Sequence, residues 1–106
     1  MYLIRRTFKT KPGKAWDTAA LLTTICEAYE KNGRNKATVF ISQGLPGDPD
    51  VAYAQWTQDA IEPNWFSNVP ESVKTNAAKV RDITESNTIE FFEIITPEKL
   101  TERGLR

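Results

Sequence analysis

The stretch Asn87–Ile95, "NTIEFFEII", decides the fold. In an extended chain, alternate side chains point to opposite faces, so Ile89, Phe91 and Ile95 share one side while Phe92 and Ile94 share the other. Both sides are apolar. A strand with one wet face would alternate apolar and polar residues, so this one belongs to a sheet covered on both sides. Full exposure of Phe92 and Ile94 would forfeit roughly 3–6 kcal/mol of burial, a large share of a small domain's stability.

Three further strands are legible upstream. "MYLIRRTFKTK" alternates Tyr2, Ile4, Arg6 and Phe8 with Leu3, Arg5, Thr7 and Lys9, and closes at Pro12-Gly13. "KATVFISQG" and "VAYAQWTQD" are rich in β-branched and aromatic residues, and the "LPGDP" between them predicts a hairpin with a loop longer than two residues. Two helices separate these strands. Lys14–Lys31 carries Leu21, Leu22, Ile25 and Tyr29 at helical spacing and stops at Asn32-Gly33. The second helix, from about Pro70 to Glu85, carries a narrow stripe of small residues, Val73, Ala77 and Val80, continued by Ile83 or Thr84. Pro97 opens a polar tail that contains about one helical turn, stopped by Gly104.

The order β-α-β-β-α-β predicts an α+β, ferredoxin-like fold. A four-stranded antiparallel sheet carries two helices on one face, in a single domain over residues 1–96. Residues 97–106 form a tail that packs on the domain or on a partner subunit. The helices cover one face of the sheet. A second copy of the chain, joined sheet to sheet about a twofold axis, is the economical cover for the other.

Composition removes several classes of function. The 106 residues contain fourteen basic and fourteen acidic side chains, one cysteine and no histidine. The cancelling charge offers no field toward nucleic acid or an anionic membrane. "VAYAQWTQD" also lacks the Lys/Arg-Gly-aromatic pattern of the RNA-recognition module, which shares this order of elements. Without an imidazole there is no Ser-His-Asp or Cys-His constellation, and Cys26 alone reads as structural. Asp48, Asp50, Asp59 and Glu62 lack the spacing of a Ca²⁺ loop, and "GLPGDPD" joins two strands and does not open a helix, so neither a metal site nor a phosphate loop is expected. No apolar run reaches the length of a membrane span, and the chain reads as cytoplasmic.

The chain resembles the dimeric α+β barrel superfamily, which includes NIPSNAP proteins and antibiotic-biosynthesis monooxygenase-like proteins. "YLIRR" followed by "KPGK" is similar to the opening of NIPSNAP-like chains, with Tyr2, Arg5 and Lys11 to Lys14 at matching positions and one extra residue between them. "YAQW" is similar to the third strand of the monooxygenase-like group, with Tyr53 and Trp56 matching and Ala54 standing where Glu is common. The resemblance implies a homodimer whose sheets form a barrel, with a pocket between sheet and helices or inside the barrel. It also implies oxidation of phenolic substrates without metal or flavin, so no cofactor is expected. The histidine-ligated haem of other relatives is excluded, because the chain has no histidine.

The residues expected at a pocket follow from polar aromatics and misplaced charge. Tyr53 and Trp56, at odd separation, face opposite sides, and each has a polar end that a ligand can satisfy. Arg5 and Arg6 are neighbours, so one of them points inward and either pairs with Glu90 or Glu93 or binds an anion. Asn64, Trp65 and Phe66 form the most aromatic loop of the chain. Arg5, Asn64 and Trp65 are therefore the catalytic candidates, and Tyr53, Trp56, Arg6 and Phe66 the substrate-binding ones. The competing reading is a noncatalytic dimeric module whose sheet faces serve association alone. An enclosed cavity with convergent polar groups would separate the two.

Overall fold

The computed structural model describes residues 1–61 and 69–106. Its elements run β1 (Tyr2–Thr10), α1 (Ala15–Lys31), β2 (Thr38–Ile41), β3 (Val51–Gln58), α2 (Glu71–Ile83), β4 (Thr84–Glu93) and α3 (Pro97–Glu102). The four strands form one sheet in the order β2-β3-β1-β4, with every pair antiparallel. This is the ferredoxin-like α+β arrangement expected from the element order.

Register assigns each residue to a face. Arg6 pairs with Ala54 on one side and Ile89 on the other, and Ile4 pairs with Trp56 and Phe91. These positions look toward the helices. Ile4, Cys26, Ala54 and Trp56 make one buried cluster, and Phe8, Leu22, Ala52 and Val80 make a second. The intervening positions, Leu3, Arg5, Thr7, Phe40, Tyr53 and Phe92, occupy the other face. Phe40 is 36% exposed and Phe92 39% exposed. Tyr53 stacks on Phe40 with ring centroids 4.7 Å apart.

The last two elements differ in their limits from the sequence reading. Helix α2 ends at Ile83 and β4 begins at the next residue, whereas the spacing suggested a helix to about Glu85 and a strand from Asn87 to Ile95. Thr84 makes this junction. Its hydroxyl donates to the Val80 carbonyl at 2.8 Å, closing the last helical turn, while its backbone is already extended. At the far end β4 stops at Glu93. The Ile94 N–H still bonds the Met1 carbonyl, but Ile95 is exposed and takes no part in the helix-side core.

Two glycines reverse the chain after helices. At the end of α1, Gly33 has φ of 100°, and the bonds from Gly33 N–H to Glu30 and from Arg34 N–H to Tyr29 build a Schellman motif. Gly104 ends α3 in the same way, with Leu105 N–H on the Leu100 carbonyl at 2.8 Å. Helix α3 has no buried residue. It is tied to the domain through Lys99, which donates to the Ile94 carbonyl and pairs with Glu93 at 3.2 Å.

Candidate functional site

Between the sheet and the helices lies a cavity of about 440 Å³. Side-chain size explains it. The inward residues of β3 include Ala52 and Ala54, and the inward stripe of α2 is Val73, Ala77 and Val80. With small groups on both sides, α2 packs chiefly against α1, and space remains above the sheet. Phe8, Leu22, Ile25, Val73 and Val80 form apolar walls.

Trp56 lies on the sheet side of this space and is 6% exposed. Its indole N–H donates to Gln58 Oε1 at 2.9 Å, and the Gln58 amide donates onward to the Ala60 carbonyl. The two inward positions on β3 thus hold each other in orientation. Arg6, also inward, donates from Nη2 to Asn87 Oδ1 at 2.9 Å, while its Nε is buried without a hydrogen-bond partner. Burial pushes the Arg6 guanidinium below its ordinary range, an effect partly opposed by the nearby Tyr29.

Arg34 reaches the cavity by a route that the strand pattern does not reveal. The reversal at Gly33 folds it back over the end of α1, placing its guanidinium 5.1 Å from the centre of the Tyr29 ring and 4.4 Å from that of Trp56. Its side chain is only 7% exposed. The paired carboxylate, Glu30 Oε2, stands 3.8 Å away and already accepts the Ala37 N–H at 2.9 Å. Nε and Nη2 of Arg34 have no hydrogen-bond partner. Lys74 and Arg81 line the same cavity from α2. Among the described residues, no carboxylate lines it.

Cys26 also lines the cavity. Burial pushes its thiol upward from the usual range, and the charge and hydrogen bonding of Arg34 oppose that rise only in part. At neutral pH it is a protonated wall group and not a nucleophile. Among the described residues, no cluster of His, Cys, Asp and Glu could hold a metal ion.

The candidates drawn from sequence separate by face. Trp56 and Arg6 meet at the cavity. Arg5 and Tyr53, expected at a pocket, lie on the opposite sheet face, because each sits one residue out of phase with an inward neighbour. There Arg5 pairs with Glu90 at 3.4 Å and lies over the Phe92 ring at 5.2 Å, so the cross-strand pairing expected of the inward arginine falls to the outward one, and the inward Arg6 bonds Asn87 instead. Asn64, Trp65 and Phe66 lie outside the described residues. Sequence reasoning missed Arg34, Gln58 and Asn87. For Arg34 a signal existed: Tyr29, Asn32-Gly33 and Arg34 have the spacing that brings residues on either side of a Schellman turn into contact.

Fold and cavity together define a split βαβ sheet with a mixed apolar and cationic chamber beneath its helices. No protein-family model matches the chain, and no curated protein matches it. Solved structures do. A Nitrosomonas europaea protein described provisionally as an antibiotic biosynthesis monooxygenase superposes with a TM-score of 0.70 at 13% identity, covering 91% of this chain and 100% of its own. A protein of the same description from Chloroflexus aurantiacus gives 0.62 at 19% identity, covering 90% and 94%. An uncharacterised NIPSNAP domain protein from Burkholderia xenovorans gives 0.60 at 11% identity, covering 92% and 97%. The chain has the fold of these monooxygenase-like and NIPSNAP proteins, as the resemblance of its first and third strands implied.

Proposed function

We propose that the protein is a cytoplasmic homodimer that binds a small aromatic or largely apolar molecule in the cavity beneath its helices. One observation carries the reading: a 440 Å³ cavity with apolar walls is lined by Trp56 and by polar groups from β1, β3, α2 and β4. A module built only to associate would fill that space with side chains. The dimer draws its support from the opposite face. Phe40, Tyr53 and Phe92 form a partly exposed apolar patch there, which a second copy would cover. The radius of gyration, 15.6 Å, exceeds the roughly 13 Å expected of a free-standing chain of this length. Helix α3, without a buried residue of its own, is available to pack on the partner.

As an enzyme, such a protein would oxygenate an electron-rich phenol without metal or flavin. The phenolate, and not the phenol, delivers the electron to dioxygen, so a buried guanidinium that favours the anion lowers the barrier. Arg6 supplies that charge and Asn87 fixes its orientation. Asn64 and Trp65 keep the substrate-orienting role proposed for them from sequence.

Gentle native mass spectrometry tests both halves. Twice the 12.0 kDa chain mass with a small adduct is the expected result, and a monomer would end the dimer proposal. Dioxygen uptake by the metal-free protein with a dihydroxynaphthalene then separates catalyst from binder. Uptake no faster than the uncatalysed rate would leave binding and remove the oxygenase.

A further inference from the structure

We propose that the ligand of this cavity carries a carboxylate, held by Arg34 beside the Trp56 ring in a space that Arg6 also lines, with its apolar skeleton against the helix-side walls. This rests on the cavity being a ligand site and names the chemistry it selects. Three independent features point to it.

The first is the state of Arg34. Its side chain is more than nine-tenths buried, and two of its nitrogens have no hydrogen-bond partner: Nε has none of any kind, and Nη2 has only the Glu30 carboxylate at 3.8 Å. A buried guanidinium with idle donors is expensive, and folded proteins rarely leave such groups unanswered. Stacking on Tyr29 and Trp56 fixes the plane of the group but consumes none of its N–H donors. The second is repetition. Arg6, half-buried on the sheet side of the same cavity, also has an Nε without a partner, as does Arg5 on the outer face, so the weight falls on Arg6 sharing the space with Arg34. The third is imbalance. Arg6, Arg34, Lys74 and Arg81 all line the space, and among the described residues no Asp or Glu does.

The partner that answers all three is a planar group with two adjacent acceptor oxygens and one negative charge, matching the fork of a guanidinium. A carboxylate fits better than a compact inorganic anion, because Phe8, Leu22, Ile25 and Val80 would gain nothing from the latter. A phenol is neutral in water near pH 7, whereas a carboxylic acid arrives already charged. The proposal therefore adds a permanent anionic anchor to the skeleton and does not restate the phenol chemistry.

The test uses the full chain and three naphthalenes that differ in one substituent: 2-naphthoate, 2-naphthamide and 2-naphthylmethylammonium. Titration calorimetry at pH 7 and low salt should give naphthoate about ten- to a hundredfold tighter binding than the amide, the value of pairing buried donors with a charged acceptor. The ammonium should bind weakest. Arg34→Gln and Arg6→Gln, each confirmed as folded by circular dichroism, should shrink the naphthoate preference. At alkaline pH, where the Cys26 thiolate forms and wild-type alkylation is measurable, naphthoate should also slow that alkylation, because Cys26 shares the cavity. Equal binding of naphthoate and naphthamide by the wild type would overturn the carboxylate assignment and leave the apolar ligand site standing. Naphthoate binding that does not shield Cys26 would place the anion elsewhere and overturn it too. Failure of all three compounds to bind would remove the ligand reading itself.

Discussion

Replacing Arg34 with methionine separates a residue kept for a ligand from one kept for the fold. Met retains the length and flexibility of the side chain and makes favourable sulfur contacts with aromatic rings, so packing against Tyr29 and Trp56 survives. The change relieves Nε, a buried charged donor with neither a hydrogen bond nor an ion pair, at about 1–3 kcal/mol. It loses two cation–π contacts, each about 0.5–2 kcal/mol. It also loses an ion pair to Glu30 at 3.8 Å, which contributes less than about 1 kcal/mol. Taken at their middle values these effects nearly cancel and leave Arg34→Met about 1 kcal/mol less stable than wild type. For a domain of this size that corresponds to a fall in Tm of roughly 4–8 °C. Urea denaturation followed by circular dichroism, at matched protein concentration, measures it. A loss of more than about 3 kcal/mol would refute the reasoning, because Arg34 would then be a fastener of the α1 turn whose idle donors carry no functional meaning.

The remaining expectations address the core, the second sheet face and the thiol. Ile4 is fully buried, so Ile4→Ala should cost about 2–5 kcal/mol; less than 1 kcal/mol in urea denaturation would mean that this part of the core is loosely packed. Phe92→Lys, which places a cation beside Arg5 on the face proposed to pair, should weaken dimerisation at least tenfold in analytical ultracentrifugation without unfolding the chain; an unchanged dimer would move the interface elsewhere. Because burial raises the Cys26 pKa, its reaction with iodoacetamide should be slow at pH 7 and gain speed only at a pH higher than a free thiol needs. The same shift makes the native state hold its thiol proton longer than the unfolded chain does. The Cys26 contribution to stability is therefore complete below the unfolded thiol pKa and is lost as pH rises toward the folded value. Cys26→Ala should flatten that alkaline limb of the stability curve, and an unaltered limb would assign it to other groups.

Most of the architecture was readable because strands announce themselves by parity. The alternation in Tyr2–Lys9 and in Val51–Gln58 assigned Trp56 and Tyr53 to different faces, and the element order supplied the topology. The junction at Thr84 was harder. "DITESNT" has no glycine or proline to mark a boundary, and a threonine that closes a helical turn through its hydroxyl looks like a helical residue in sequence. The cavity was harder still. The small stripe of α2 was visible, but whether small residues mean close approach or empty space depends on how the helix sits. Arg34 escaped notice because it belongs to neither helix nor strand. Its position comes from a left-handed glycine one residue before it, and its importance from stacking on rings that are distant in sequence or a turn away.

Arg5 and Arg6 stand side by side in the chain, yet they work on opposite sides of the sheet. Strand β1 is in effect two interleaved messages, one written at even positions for the cavity and one at odd positions for the outer face. Substitutions edit one message and spare the other. Deleting a single residue between Ile4 and Phe8 would instead slip the frame, send charge into the core and core residues into solvent, and scramble both at once. The strand should therefore tolerate many replacements and almost no change of length.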